Sequence, residues 1–142
     1  MENKIKTFED ACKALDISTD IPDVQFLPVR YRKAVVAFFM LIVIAQALNE
    51  SWKPDWGNFT QLKWFPWWYF NSNGKESIIA PVGLSVDQSR VSMAMGSILA
   101  FKNAELAEYA GKQFKNLYKD LMFLPAVRKA KSNKSKTKKS KA

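Results

Sequence analysis

The sequence predicts an α+β fold, a small antiparallel sheet of about three strands packed with two or three helices and followed by a disordered basic tail. Three observations lead there. Apolar residues recur with helical period near both ends of the body. The middle third instead concentrates aromatics, prolines and turn residues. Finally, the last fifteen residues hold eight basic side chains and no acidic one. With 142 residues, 48% of them hydrophobic, the chain can build one domain with a real core but not two. That single α+β domain is placed at residues 1–127, and the Lys-rich tail at 128–142.

The first helix is expected to begin at Thr7, a hydroxyl N-cap followed by Glu9 and Asp10 in the first turn, where the helix dipole favours acids. Phe8, Ala11, Cys12 and Leu15 then form one apolar stripe. Residues 16–28 (DISTDIPDVQFLP) are turn-rich and end it. Pro28 stands where a missing N–H costs little at a helix start, so a second helix should run from about residue 29 to 49. Pro54 and Gly57 break the helical pattern. Residues 62–70 (LKWFPWWYF) read as an edge or bulged strand because Pro66 cannot donate to a ladder. Asn73-Gly74 supplies a hairpin turn, residues 76–82 a second strand, and residues 97–101 (SILAF) a short third one. Residues 83–95 read equally as loop or ragged strand. A last long helix should follow Asn103, with Leu106, Ala110, Phe114, Leu117 and Leu121 on its buried face.

Residues 34–45 (AVVAFFMLIVIA) form twelve apolar residues without a break. A bilayer span needs about 20, so the run is expected to be a central helix buried by its own domain, and membrane association is the disfavoured reading. Residues 1–10 lack the apolar stretch of a secretory signal. The triplets at Asn49, Asn58 and Asn133 therefore read as chance glycosylation matches, and a reducing cytoplasm as the setting. Cys12, on an apolar helical stripe, reads as a buried inert thiol.

Chemistry is sparse. The chain has no histidine and one cysteine, which removes disulfide frameworks, Cys–His pairs and the usual zinc sites. Phosphate-loop, dinucleotide and nucleophile-elbow patterns do not occur. Glu9-Asp10 reads as dipole partners, and Glu105, Glu108 and Lys112 as a solvated helix face with an ion pair. No catalytic residue, metal or cofactor is expected, and the protein is read as a non-enzyme.

Two features point to binding. Arg128, Lys129, Lys131, Lys134, Lys136, Lys138, Lys139 and Lys141 form a cationic arm, while the preceding residues carry 14 basic against 13 acidic side chains. An arm that cannot bury apolar area stays extended. Lysine predominance favours point-charge contact with phosphates over base reading, so nucleic acid is the expected partner. Its plain alternative is a solubilising terminus, and acidic lipid headgroups could also serve as the polyanion. The second feature is the aromatic cluster, in which Trp64, Trp67, Trp68 and Tyr69 could present a partner surface or stack on bases. Only Lys63 and Lys75 flank it, which favours a protein partner.

Residues 44–56 (IAQALNESWKPDW) and 99–122 (LAFKNAELAEYAGKQFKNLYKDLM) resemble a family of small uncharacterised proteins of gut Bacteroidales prophages and crAss-like phages. The likeness spans residues 5–124. It implies a phage or prophage setting, in the host cytoplasm or within a virion, and implies no chemistry. The chain departs from that pattern in a more apolar second helix and in the lysine tail. Together these readings lead to a phage-type accessory protein with a protein-docking or self-associating body and a tail that binds nucleic acid phosphates non-specifically. The alternatives are a virion structural or host-protein-binding module with an incidental tail and, less favoured, a membrane-associated protein using residues 34–48.

Overall fold

The Thr7 hydroxyl accepts the Asp10 N–H (3.1 Å), and the Asp10 carboxylate accepts the Thr7 and Lys6 N–H groups (both 3.0 Å). This reciprocal box satisfies donors that a helix start leaves orphaned and opens α1, Phe8–Leu15. Asp16, left-handed at φ 54°, closes it. Phe8, Ala11 and Cys12 are buried and Leu15 half-buried, the stripe that the spacing predicts. The computed structural model that shows this describes residues 2–58, 60–69, 80–87 and 97–122.

Pro28 caps α2, Val29–Asn49, with no side-chain hydrogen bond. Twenty-one residues at about 1.5 Å each make it the longest element among the described residues. It is long and apolar enough to cross a membrane, and 39% of its apolar stretch is buried within the fold. The sequence leads one to expect burial all round. Burial is instead concentrated in the C-terminal half, at Leu41, Val43, Ile44, Ala45, Ala47, Leu48 and Asn49. At the other end Val29, Tyr31 and Val35 are exposed.

Among the described residues the three-stranded antiparallel sheet expected from the sequence is not seen, and four helices dominate. Extended pairing among the described residues is a two-strand ladder, β1 (Lys63–Tyr69) antiparallel to β2 (Ala80–Asp87). The register slips between Pro66 and Trp68, where proline removes a donor. Residues 97–101 are not a strand. Ser97–Leu99 is a 3-10 turn, and Phe101 meets β1 through one bridge to Trp64, with N–H···O distances of 3.0 and 2.8 Å. The reason is tertiary. Leu99, Ala100 and Phe101 are buried in the core, and the Ala100 carbonyl is taken by the Asn49 side chain at 2.8 Å rather than by a strand. The hairpin turn at residues 71–74, residues 88–95 and the tail at 128–142 lie outside the described residues.

The last helix is two: α3, Ala104–Gln113, and α4, Lys115–Met122, joined through Phe114. Asn103 caps α3, accepting the Leu106 N–H at 2.9 Å. The buried face agrees with the expected one at Ala110 and Phe114 and differs elsewhere. Ala107, Ala110, Gly111, Phe114 and Tyr118 are inside, whereas Leu106, Leu117 and Leu121 are half-buried. Small residues at 107, 110 and 111 let α3 approach the β1–β2 ladder, while α1 and α4 pack against α2. Lys112 and Glu108 form the exposed ion pair that their spacing predicts.

Candidate interaction surface

The eight tail residues, Arg128 through Lys141, lie outside the described residues. Trp67, Trp68 and Tyr69 are placed on β1 by their backbone alone. Trp64 is half-buried, and its side chain packs against the core. Lys63, expected to flank the aromatic cluster, is 4% exposed. Its ammonium donates to the Gln61 and Asn58 carbonyls at 3.1 and 3.3 Å and lies 4.8 Å from the centre of the Trp56 ring. That charge ties down the loop before β1 and is withdrawn from any phosphate.

Asn49 is the buried polar centre of the fold. It accepts the Lys102 N–H at 3.0 Å while donating to Ala100, so the end of α2 grips the chain entering α3. A buried amide keeps its place only when both its donor and its acceptor are used. The first residue of the triplet at Asn49 is thus a structural clamp. The signal was an asparagine closing an apolar run, a residue that would otherwise be costly to bury.

Beside the clamp lies an open cleft of about 890 Å³ between the N-terminal segment, the C-terminal ends of α1 and α2, and the start of α3. Its charged rim is mixed, with Glu2, Glu50 and Glu105 against Lys4 and Lys102. The Tyr109 hydroxyl closes one wall by donating to the Ile5 carbonyl at 2.6 Å, and burial, the leading cause, pushes its pKa up. Burial, reinforced by Glu9, likewise raises the Cys12 thiol, which stays protonated and unreactive. Among the described residues no group of three or more His, Cys, Asp or Glu side chains converges to hold a metal. The cleft therefore offers shape and a mixed rim with one acid in excess of its bases.

The more distinctive surface is apolar. Ile17, Ile21, Phe26, Val29, Tyr31 and Val35 are all exposed, Phe26 by 83% and Val29 by 74%. Phe26 does not hang on a slack loop. The Leu27 N–H closes a turn on Val24 at 3.0 Å, and the Arg32 guanidinium bonds the Leu27 and Gln25 carbonyls, each at 2.9 Å. Sequence reasoning read this stretch as a connecting turn. The available signal was five large apolar side chains set among its prolines and aspartates.

Compared with known proteins, the chain matches no family model, no curated protein and no solved structure.

Proposed function

We propose that this chain is a non-enzymatic accessory protein whose body docks through an apolar surface and whose C-terminal arm binds nucleic acid phosphates without sequence preference. The observation that carries the reading is the segregation of charge, since residues 128–142 hold eight basic side chains and no acid, against a body of net +1. Such an arm acts by counterion release. A phage or prophage setting, and with it the host cytoplasm or a virion, rests on the family resemblance at residues 44–56 and 99–122. The rigidly held Phe26 favours the docking half, because ordering cost is spent before association rather than during it.

The test is fluorescence anisotropy of labelled single- and double-stranded DNA. The full chain is compared with a full-length variant whose eight tail bases are glutamine, and with a truncation after Val127. With all eight charges engaged, affinity should fall by about four orders of magnitude between 50 and 200 mM salt. It should vanish in both tail variants while the circular dichroism of the body is retained. Equal binding by the glutamine variant sinks the assignment of the arm and moves attention to the aromatic strand.

A further inference from the structure

The exposed apolar surface has a directional charge pattern. Asp16, Asp20 and Asp23 are the charged residues between Lys13 and Arg30, while Arg30, Arg32 and Lys33 are those between Asp23 and Glu50. Three negative charges therefore precede Phe26 and three positive charges follow it.

The fold lays this pattern along the length of α2. Phe8 meets Phe39 edge-on at 6.1 Å, and Leu15 lines the same cleft as Ala47 and Leu48, so α1 runs parallel to α2. The chain leaving α1 beside the C-terminal end of α2 must then return to Val29 at its other end. A helix of 21 residues is about 31 Å long, and the thirteen-residue connection, which could reach about 43 Å, covers that length as a strap without helix or turn over residues 17–24. The strap carries the three aspartates with exposed Ile17 and Ile21. The basic end carries exposed Val29, Tyr31 and Val35, with Phe26 at the corner. Arg32 is engaged with the loop, and Arg30 lies 5.3 Å over the ring of Tyr31. Arg30 and Lys33 are the cations turned outward.

From this we infer that the surface built by residues 17–35 pairs with the same surface of a second copy around a two-fold axis. An antiparallel two-fold contact sets the basic end of each protomer against the acidic strap of the other, twice, while burying Phe26 and Val29 from both. Isologous contacts require such self-complementarity. A lipid surface fits less well, because an anionic bilayer repels the strap and a neutral one gives Arg30 and Lys33 nothing to meet. The inference rests on the proposed docking role of the body and names its partner.

The test is analytical ultracentrifugation of the full chain, in parallel with anisotropy on a DNA oligonucleotide short enough to hold one tail. The expected mass is two protomers at 100 µM. Phe26→Asp, an exposed position whose change leaves the core intact, should raise the dimer Kd at least tenfold and leave short-oligonucleotide affinity unchanged. Arg30→Glu with Lys33→Glu, and separately Asp20→Lys with Asp23→Lys, should each weaken the homodimer. An equimolar mixture of the two should associate at least tenfold more tightly than either alone. A single-protomer mass for the wild-type chain overturns the inference, as does a dimer indifferent to Phe26→Asp or a mixture that gains nothing. Monomeric protein that sediments with phosphatidylserine vesicles through Phe26 overturns it in favour of a membrane. Loss of DNA binding by the glutamine-tail chain leaves the mass untouched, so the two readings stand or fall separately.

Discussion

Replacing Asn49 by alanine removes both hydrogen bonds that hold the segment entering α3 to the end of α2. Each such bond is worth about 1 kcal/mol net, and stranding a buried partner costs about 1–3 kcal/mol. Asn49 is 4% exposed and Ala100 fully buried, so the Ala100 carbonyl bears the larger share; the Lys102 N–H is partly buried and bears less. The expected loss is about 2–4 kcal/mol, a large part of the roughly 5–15 kcal/mol that holds a domain together. The melting temperature should fall by about 10 °C. Asn49→Asp separates the two bonds. Its carboxylate can still accept from Lys102, but it turns a second acceptor on the Ala100 carbonyl. Burial without a donor raises its folded-state pKa above the unfolded value of about 3.9. Its deficit should therefore be smallest below that value and grow as pH rises through the folded pKa. Urea denaturation of the three proteins at pH 3.5 and pH 7 measures this. A Ser or Thr hydroxyl at 49 donates and accepts at a single atom, so it should recover at most one of the two bonds and fall between alanine and wild type. If Asn49→Ala lies within about 0.5 kcal/mol of wild type, the clamp does not join these elements and the account of why residues 97–101 are not a strand fails with it.

Thr7→Ala should cost about 1 kcal/mol in urea unfolding by opening the capping box, and an unchanged midpoint would mean that α1 is held by packing alone. Asp10, whose pKa is lowered chiefly by the Lys6 N–H and then by Thr7, contributes stability that is present above about pH 3.9 and fades as acid titrates it below that; Asp10→Asn should flatten this acid limb. Glu50 has φ 55° and ψ −117°, with the Trp52 N–H closing on the Asn49 carbonyl at 3.0 Å. Glycine is the residue that turn accepts without strain, so Glu50→Gly should raise stability by about 1 kcal/mol; a decrease would show that the glutamate side chain is needed at the cleft. Cys12, fully buried, should react with a thiol reagent only at the rate of opening and become labile at the urea midpoint; rapid labelling of the native protein would contradict its place in the core.

What the sequence disclosed and what it concealed divide along the range of the interactions involved. The start of α1 is local, with Thr7 and Asp10 three residues apart, and α2 is bounded by Pro28 and by the turn after Asn49. These could be read from neighbours in the chain. Residues 97–101 could not, because a short apolar run suits a strand or a turn equally, and the decision lies with Asn49, 51 residues from Ala100. The final helix shows a subtler ambiguity. A stripe through Leu106, Leu117 and Leu121 and one through Ala107, Gly111 and Tyr118 both satisfy helical spacing. The small side chains win because the ladder packs close to α3, a matter of shape that hydrophobicity does not register. The exposed apolar surface was obscured for a related reason. Composition identifies the cationic arm directly, but that Phe26 is presented outward rather than tucked inward depends on Arg32 bonding back to two carbonyls of the loop.

The order in which the chain is made gives α2 a further consequence. Its inner face is covered by α4, which begins at Lys115, more than sixty residues after α2 ends at Asn49. At about 5–20 residues per second, the helix waits several seconds outside the ribosome with the face that α4 will cover still bare. For that interval the nascent chain presents an apolar helix long enough to cross a membrane, with Arg30, Arg32 and Lys33 at its leading edge. Cellular factors that sort new proteins by hydrophobicity meet this helix before its own domain can claim it. Early docking of α1 along one side, as soon as residues 8–49 have emerged, is the protection the fold itself provides during synthesis.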